Sequence, residues 1–211
     1  MGGVCLVLTW ILFIIGFVLT IAQGSPPGTI EETLNSIAGQ KMLYQAANWV
    51  FVLSDLFPIP AMLALYLALK EIKRTHALMA TAIGLLGVTL AIGLRMGVHT
   101  MSTLGPRYVA ASSEAQRVVY VLAAELINGA TDPGLMFANR LLFGWTLIIS
   151  IAMLSGVFGK GAAYLGIVTG IIGIAAIIGS FVPTLAIVGL FGSIGWIIWF
   201  PMIGFRLYKL G

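Results

Sequence analysis

Six long apolar runs dominate the 211-residue sequence, and each approaches or exceeds the ~20 residues that span a bilayer. They lie at about residues 4–23, 44–70, 76–100, 133–158, 161–182 and 184–207. Only 9% of the residues are charged, whereas a soluble domain carries roughly 25%. Because so few charges cannot cover a water-exposed surface, the sequence predicts an all-α, polytopic transmembrane bundle of six spanning helices, with residues 1–211 as one domain.

A seventh segment, residues 113–128, is too short and too polar to span comfortably. Ser113 followed by Gln116 matches a helix-capping signature, and Gly129 is expected to end the helix. Pro133 suits the first position of the next span. We therefore expect a short extracytoplasmic amphipathic helix, which either lies on the membrane or folds over the bundle.

Local signals refine three other places in the chain. Thr29 and Glu32 form a capping-box pattern, which predicts a short helix in the first loop. Pro58 and Pro60 fall inside the second span and must kink or break it. The first run lacks a basic segment before it and is nearly long enough to span, so we expect a retained helix rather than a cleaved signal peptide.

The basic residues predict the orientation of the bundle. Six of the eleven Lys and Arg residues lie at the ends of the second, fourth and sixth runs or just after them: Lys70, Lys73, Arg74, Lys160, Arg206 and Lys209. Since Lys and Arg concentrate in cytoplasmic loops, we expect a multi-pass protein of the cell membrane with both termini in the cytoplasm. The formal charge of +4 is scattered over the ends of the apolar runs, which gives no indication of a nucleic-acid partner.

Polar residues from separate runs fall at a similar depth, near the outer side. At 1.5 Å per helical residue, Arg95 lies ~28 Å and Asp55 ~22 Å from the inner ends of their spans, while Arg140 lies ~10 Å below the outer side. Buried charges are costly unless they pair or face water. We therefore expect Arg95 or Arg140 to pair with Asp55 or Glu125. The candidate ligand-binding residues are Asn48, Asp55, Arg95, His99, Glu125, Asn139 and Arg140.

These residues have two interpretations. In the first, they form a structural ion-pair network that fixes the register of the helices. In the second, they line an outward-facing cavity between the second, third and fourth spans, partly covered by residues 113–128. A ligand there would place its apolar part against Met96, Leu122 and Phe143.

Few residues could support metal, haem or hydrolytic chemistry. His76 and His99 lie ~34 Å apart along one helix, and Cys5 is the one thiol. We therefore expect no protein-bound metal and no cofactor. A hydrolytic set of Ser102, His99 and Glu125 is conceivable, but no sequence motif marks a nucleophile.

The chain resembles a family of small bacterial and archaeal membrane proteins with about six helices, known only as a domain of unknown function. The resemblance covers most of the chain and rests on the uncharged first run, the stretch "LSDLFPIPAMLALYLALK", the polar turn before the fourth run and the glycine-rich "LGIVTGIIGIAAIIGSF". It implies the architecture and supplies no catalytic residues.

The leading functional hypothesis is a non-enzymatic integral membrane protein with an outward polar pocket for a lipid-like or small ligand. One alternative is an accessory subunit of a larger respiratory or photosynthetic membrane complex. Another is a small transporter or an intramembrane enzyme. Membrane lipids are the expected partners, with other membrane subunits as a second class.

The orientation can be tested by cysteine labelling. With Cys5 removed, single cysteines at Gly28 and Gly159 should react with a membrane-impermeant reagent from opposite sides of the membrane, because an odd number of spans separates them. Labelling of both from the same side would contradict the predicted topology.

Overall fold

The computed structural model describes residues 1–24, 28–156, 158–180 and 188–210. These residues form seven α-helices and one 3₁₀ turn, with no strand among them. The elements are α1 (Gly2–Ala22), α2 (Ile30–Gly39), α3 (Lys41–Leu56), α4 (Pro58–Val109), α5 (Glu114–Met153), α6 (Lys160–Ala175), the 3₁₀ turn (Ala176–Ser180) and α7 (Val188–Leu210). The all-α prediction is confirmed.

Four helical stretches are long and apolar enough to cross a membrane by length and composition. They are Gly2–Ala22, Lys41–Val109, Glu114–Met153 and Val188–Lys209. The 16 residues of α6 are apolar but fall below that length. The chain therefore has the apolar helices of a membrane protein, although fewer stretches reach membrane length than the six expected.

The stretch Lys41–Val109 contains a reversal of direction within α4. Lys73 has non-helical backbone angles, φ −140° and ψ 55°. Met62 and Gly84 would lie ~33 Å apart on a straight helix, yet a Cβ added to Gly84 would lie 2.8 Å from Sδ of Met62. The chain thus folds back at Lys73. One arm of α4 precedes this turn and a second, longer arm follows it, as the separate second and third apolar runs predict.

The predicted break at the prolines of the second run is confirmed. Helix α3 ends at Leu56, and α4 begins at Pro58. Proline has no N–H to donate, so the ladder of helical backbone hydrogen bonds is interrupted here. The φ of proline suits the first position of a helix, so a new helix can begin at Pro58. The interruption leaves Asp55 in the last turn of α3.

Helix α5 corrects the prediction of a separate short helix at residues 113–128. Ser113 caps α5 through its hydroxyl, which accepts from the Gln116 N–H at 3.3 Å, but the helix then continues unbroken to Met153. Neither Gly129 nor Pro133 ends it. The reason is a buried seven-residue repeat that runs straight through the predicted break: Ala124, Thr131, Ala138, Trp145 and Ala152. Packing along this face outweighs the local helix-breaking preference of glycine and proline.

Two further boundaries can be compared with the prediction. Helix α2 begins at the predicted cap, where the Thr29 hydroxyl accepts from the Glu32 N–H and the Glu32 carboxylate accepts from the Thr29 N–H. Helix α6 ends at Ala175, earlier than the fifth run predicts. The predicted end of the fifth span and start of the sixth fall on residues 181–187, outside the described residues.

The helices pack in a ring. Helix α1 contacts α7, α7 contacts α6, α6 contacts α5, α5 contacts α4, α4 contacts α3, and α3 contacts α1. A large apolar cluster fills one end of the ring and includes Leu65, Trp145, Trp199 and Ile203. A small cluster joins α2, the C-terminal part of α4 and the N-terminal part of α5. The ionisable residues Arg95 and Arg140 fall between the two clusters along α4 and α5.

Close approach of α6 and α7 to α5 depends on glycine. The ring of Phe143 stacks on Trp196 with centroids 3.8 Å apart, and a Cβ on Gly173 would overlap that ring. A Cβ on Gly192 would lie 3.1 Å from Cζ of Phe143. These small residues therefore allow an aromatic side chain to pack directly against backbone.

The structure also improves the labelling experiment on topology. Gly159 has φ 75°, and a Cβ there would lie 2.6 Å from Nη1 of Arg206. A cysteine at that position would be strained. Gly161 is exposed and a Cβ there meets nothing within 4 Å, so it is the better partner for Gly28.

Glycine packing predicts a difference between two alanine substitutions in α6. Gly173→Ala should lower stability by about 1–3 kcal/mol, because the new methyl group overpacks the contact with Phe143. Gly161→Ala meets no neighbour and should leave stability unchanged or slightly higher. Thermal unfolding in detergent, followed by circular dichroism, measures both. Equal melting temperatures would show that α6 can shift away from α5 at no cost.

Candidate ligand-binding cavity

A cavity of about 500 Å³ lies among α1, α3, α4, α5 and α7. Of its lining residues, Pro58, Met62, Trp145 and Phe200 are buried, whereas Phe17 and Met136 are about half exposed. The cavity was predicted between the second, third and fourth spans. Helices α3, α4 and α5 do line it, but α1 and α7 supply the remaining walls.

Asp55 and Arg95 form an ion pair in the cavity wall. Arg95 Nε donates to Asp55 Oδ2 at 2.6 Å, and the side chains are only 17% and 16% exposed. The guanidinium carbon of Arg95 also lies 4.6 Å from the centroid of the Phe51 ring, a cation–π contact. The predicted pairing of Arg95 with Asp55 is therefore confirmed.

The fold brings these two residues together because α3 and the second arm of α4 run side by side after the turn at Lys73. Further bonds hold the same register. Gln45 donates to the Ser102 hydroxyl at 3.1 Å, and the Asn48 amide donates to the Arg95 carbonyl at 3.4 Å. The pair thus lies in a wall that several helix–helix contacts position.

Arg140 is the second cation of the cavity, and it has no acidic partner among the described residues. Its Nε is buried and makes no hydrogen bond within that part of the chain. Residues 181–187, which lie outside it, contain no acidic side chain in their sequence. Asp55 is the one carboxylate in the cavity lining and pairs with Arg95. The described lining therefore carries an excess of one positive charge.

Most hydroxyl groups of the lining already donate a hydrogen bond to the backbone. The hydroxyls of Thr9, Thr20 and Ser193 donate to backbone carbonyls four residues earlier, and Ser54 donates to the Thr9 carbonyl. By contrast, Nε1 of Trp145 is buried with no hydrogen-bond partner among the described residues. Together with Arg140, it leaves unsatisfied donors in the cavity wall.

Three of the seven predicted site residues lie outside the cavity. Asn48 is buried between α3 and α4, and its Oδ1 has no described partner. His99 packs edge-to-face on Trp49, with ring centroids 5.6 Å apart. Glu125 is exposed and lines a separate depression of about 150 Å³ between α2 and α5. Asp55, Arg95, Asn139 and Arg140 are the four that line the cavity.

The predicted cover and apolar contacts need correction as well. Residues 113–128 do not line the cavity, because they continue α5 away from it and pack in the small cluster with α2. Met96 and Leu122 are about half exposed and lie outside the lining, whereas Phe143 lies in it as predicted.

Sequence reasoning missed the contributions of α1 and α7. Thr9 and Thr20 are hydroxyls in an otherwise apolar first run, and Ser193 has the same character in the last. Such isolated hydroxyls are weak signals, because each satisfies its own helix backbone. The aromatic residues Phe13, Trp196 and Phe200 cannot be distinguished from lipid-facing residues by sequence.

The described residues offer little for metal or hydrolytic chemistry. They contain no group of three His, Cys, Asp or Glu side chains placed to hold a metal ion. The Ser102 hydroxyl donates to the backbone carbonyl of His99 at 2.6 Å rather than to its imidazole, and Glu125 lies exposed on another face. The conceivable hydrolytic set is therefore not assembled.

The fold defines a helical protein with membrane-length apolar helices around an internal cavity. The chain belongs to the DUF4386 family, a domain of unknown function, whose model matches residues 1–204. The predicted resemblance is thus confirmed. Neither the curated proteins nor the solved structures contain a match to the chain.

The ion pair predicts a large stability difference from an exposed control. Asp55→Asn and Arg95→Gln should each lower stability by about 3–5 kcal/mol, because the remaining charge is left buried and unpaired. The control is Glu71→Gln. The Glu71 side chain is 84% exposed and pairs with Lys70 at 3.7 Å, so its loss should change the stability little. Unfolding in detergent measures all three. Unchanged stability of both cavity variants would mean that the pair is solvated.

Proposed function

We propose that this is a non-enzymatic integral membrane protein whose cavity binds a lipid-like or small amphiphilic ligand. The observation that carries the proposal is the Arg140 guanidinium, whose buried Nε has no partner among the described residues, in the wall of a largely apolar and aromatic cavity of about 500 Å³. A volume of this size suits an organic ligand, since such pockets are typically ~300–1,000 Å³.

The cavity has a polar part and an apolar part, which match the polar head and the apolar body of an amphiphile. Its ionisable residues come from α3, α4 and α5, whereas α1 and α7 contribute mainly Phe13, Phe17, Trp196 and Phe200. Apolar walls with a few placed polar groups are typical of small-molecule sites, where the polar groups fix the orientation of the ligand.

The proposed arrangement has six spans in the cell membrane, with both termini cytoplasmic. The turn at Lys73 supports it by dividing Lys41–Val109 into two arms. Helix α6 and its 3₁₀ extension together rise ~34 Å, which is enough to cross the hydrocarbon. Asp55 in α3 and Arg95 in the second arm of α4 both lie far from the basic turn at residues 70–74, so the cavity would open toward the outer side.

The Asp55–Arg95 pair and Arg140 have different parts in this proposal. The pair is neutral overall and held by helix–helix contacts, so it shapes the wall. The Nε of Arg140 has no acceptor in the part of the chain that the structure describes, so Arg140 is available to bind the polar head of a ligand. Thus the structural and the ligand-binding interpretations apply to different members of the seven predicted site residues.

Two matched serine and threonine substitutions test whether the cavity is occupied. Ser193 lines it and donates to its own helix backbone at 3.2 Å; Thr89 makes the same kind of bond at 2.8 Å but lies exposed outside it. Ser193→Phe should fill the cavity and displace the ligand, whereas Thr89→Phe should not. Native mass spectrometry of gently solubilised protein should show a bound amphiphile with the native chain and Thr89→Phe, and less with Ser193→Phe.

Equal retention by the two variants would place any bound amphiphile outside the cavity. The accessory-subunit hypothesis would then be favoured. One observation already supports it: α5 carries an exposed apolar face that includes Val119, Leu122 and Leu126, which are 61%, 55% and 76% exposed.

A further inference from the structure

We infer that the ligand of this cavity is an amphiphile with a singly charged oxyanion head, such as a long-chain carboxylate, and that Arg140 binds the head. The inference rests on the proposed function and narrows it to one class of ligand. It follows from the charge of the lining, from its free hydrogen-bond donors and from the position of its apolar surface.

The charge of the described lining is unbalanced by one. Two guanidinium groups, of Arg95 and Arg140, share the cavity with one carboxylate, of Asp55. The 2.6 Å bond between Asp55 and Arg95 neutralises that pair. Arg140 is partly buried, with its Nε fully buried, and a cation beside largely apolar walls is stabilised when an anion accompanies it. A monoanion restores neutrality, whereas a dianion would leave a new excess of negative charge.

Two buried polar atoms of the lining have no hydrogen-bond partner among the described residues, and both are donors. The buried Nε of Arg140 and the buried Nε1 of Trp145 have no described acceptor, while the lining hydroxyls donate to backbone carbonyls. An oxyanion supplies two or more acceptor oxygens, and guanidinium–oxyanion hydrogen bonds are among the strongest in proteins. The lining therefore matches an acceptor-only head.

The same features disfavour other heads. A zwitterionic head with a quaternary ammonium group would be favoured by a free carboxylate, but the Asp55 carboxylate is already bonded to Arg95. An alcohol head would leave the Arg140 charge uncompensated. Charge thus discriminates between ligands of equal chain length.

Apolar surface begins directly beside the head. Phe143 lies one helical turn from Arg140 on α5 and belongs to the large apolar cluster. Phe13 and Phe17 line the same cavity from α1, and the half-exposed Met136 lines it from α5. A head on Arg140 would therefore have its apolar body against these aromatic side chains.

The test uses the tryptophans of the lining as probes. The full-length protein is placed in nanodiscs of phosphatidylcholine, and dibromostearate or its methyl ester is added at increasing mole fraction. Bromine on the acyl chain should quench Trp145 and Trp196 when the chain enters the cavity. At a pH at which the carboxylate is ionised, we expect saturable quenching by dibromostearate at a mole fraction about ten- to hundredfold below that for the ester.

Variants connect that preference to Arg140. Arg140→Gln should abolish the difference between acid and ester, whereas Arg140→Lys, which keeps the charge, should retain part of it. Arg107→Gln, an exposed arginine on α4 outside the lining, is the matched control and should behave like the native chain. If Arg140→Gln does not fold, the acid–ester comparison in the native chain and in Arg140→Lys still decides the question.

The outcomes separate this inference from the proposed function. Saturable quenching that is equal for acid and ester would leave the cavity as a ligand site but overturn the anionic head. Quenching that only rises in proportion to mole fraction, for both compounds, would overturn the proposed function itself. Displacement of dibromostearate by acetate would assign the site to a free small oxyanion and overturn the amphiphile.

Discussion

The ion pair between Arg95 and Asp55 is the interaction on which the arrangement of α3, α4 and the cavity wall depends. Each charge would be expensive alone in an apolar environment, and the 2.6 Å bond makes both tolerable only when α3 and the second arm of α4 lie side by side. The turn at Lys73 and the break before Pro58 place the partners at matching heights. Neutralisation of this pair also leaves Arg140 as the remaining uncompensated charge of the described lining.

Two apolar clusters lie on either side of Arg95 and Arg140, and they explain why a cavity remains between them. In the large cluster, glycine and alanine allow aromatic rings to lie directly against helix backbones, as Phe143 does between Gly173 and Trp196. In the small cluster, Leu34, Met101 and Ala124 join α2 to the ends of α4 and α5. Between them, charged side chains and large rings cannot interdigitate equally closely, so the space among five helices remains open.

The sequence predicts features that depend on a few neighbouring residues or on one pair of opposite charges. The all-α class, the cap at Thr29, the break at Pro58 and the pairing of Arg95 with Asp55 are of this kind. It does not predict the continuity of α5, because Gly129 and Pro133 are local signals and the heptad-spaced packing that overrides them appears only with the neighbouring helices. The sequence does not predict the contributions of α1 and α7 to the cavity wall for a related reason. Phe13 and Trp196 are residue types that also occur at lipid-facing positions, so sequence alone cannot distinguish the two.

Helix α5 has 40 residues, so it extends ~60 Å, about twice the hydrocarbon thickness. It carries Ala124 of the small cluster and Arg140 of the cavity on one continuous rod. Pro133, midway between them, lacks the main-chain N–H that would strengthen the helix there. Helix α5 therefore connects the small cluster to the cavity wall through continuous helix backbone, and Pro133 is the position along it where one backbone hydrogen bond is missing.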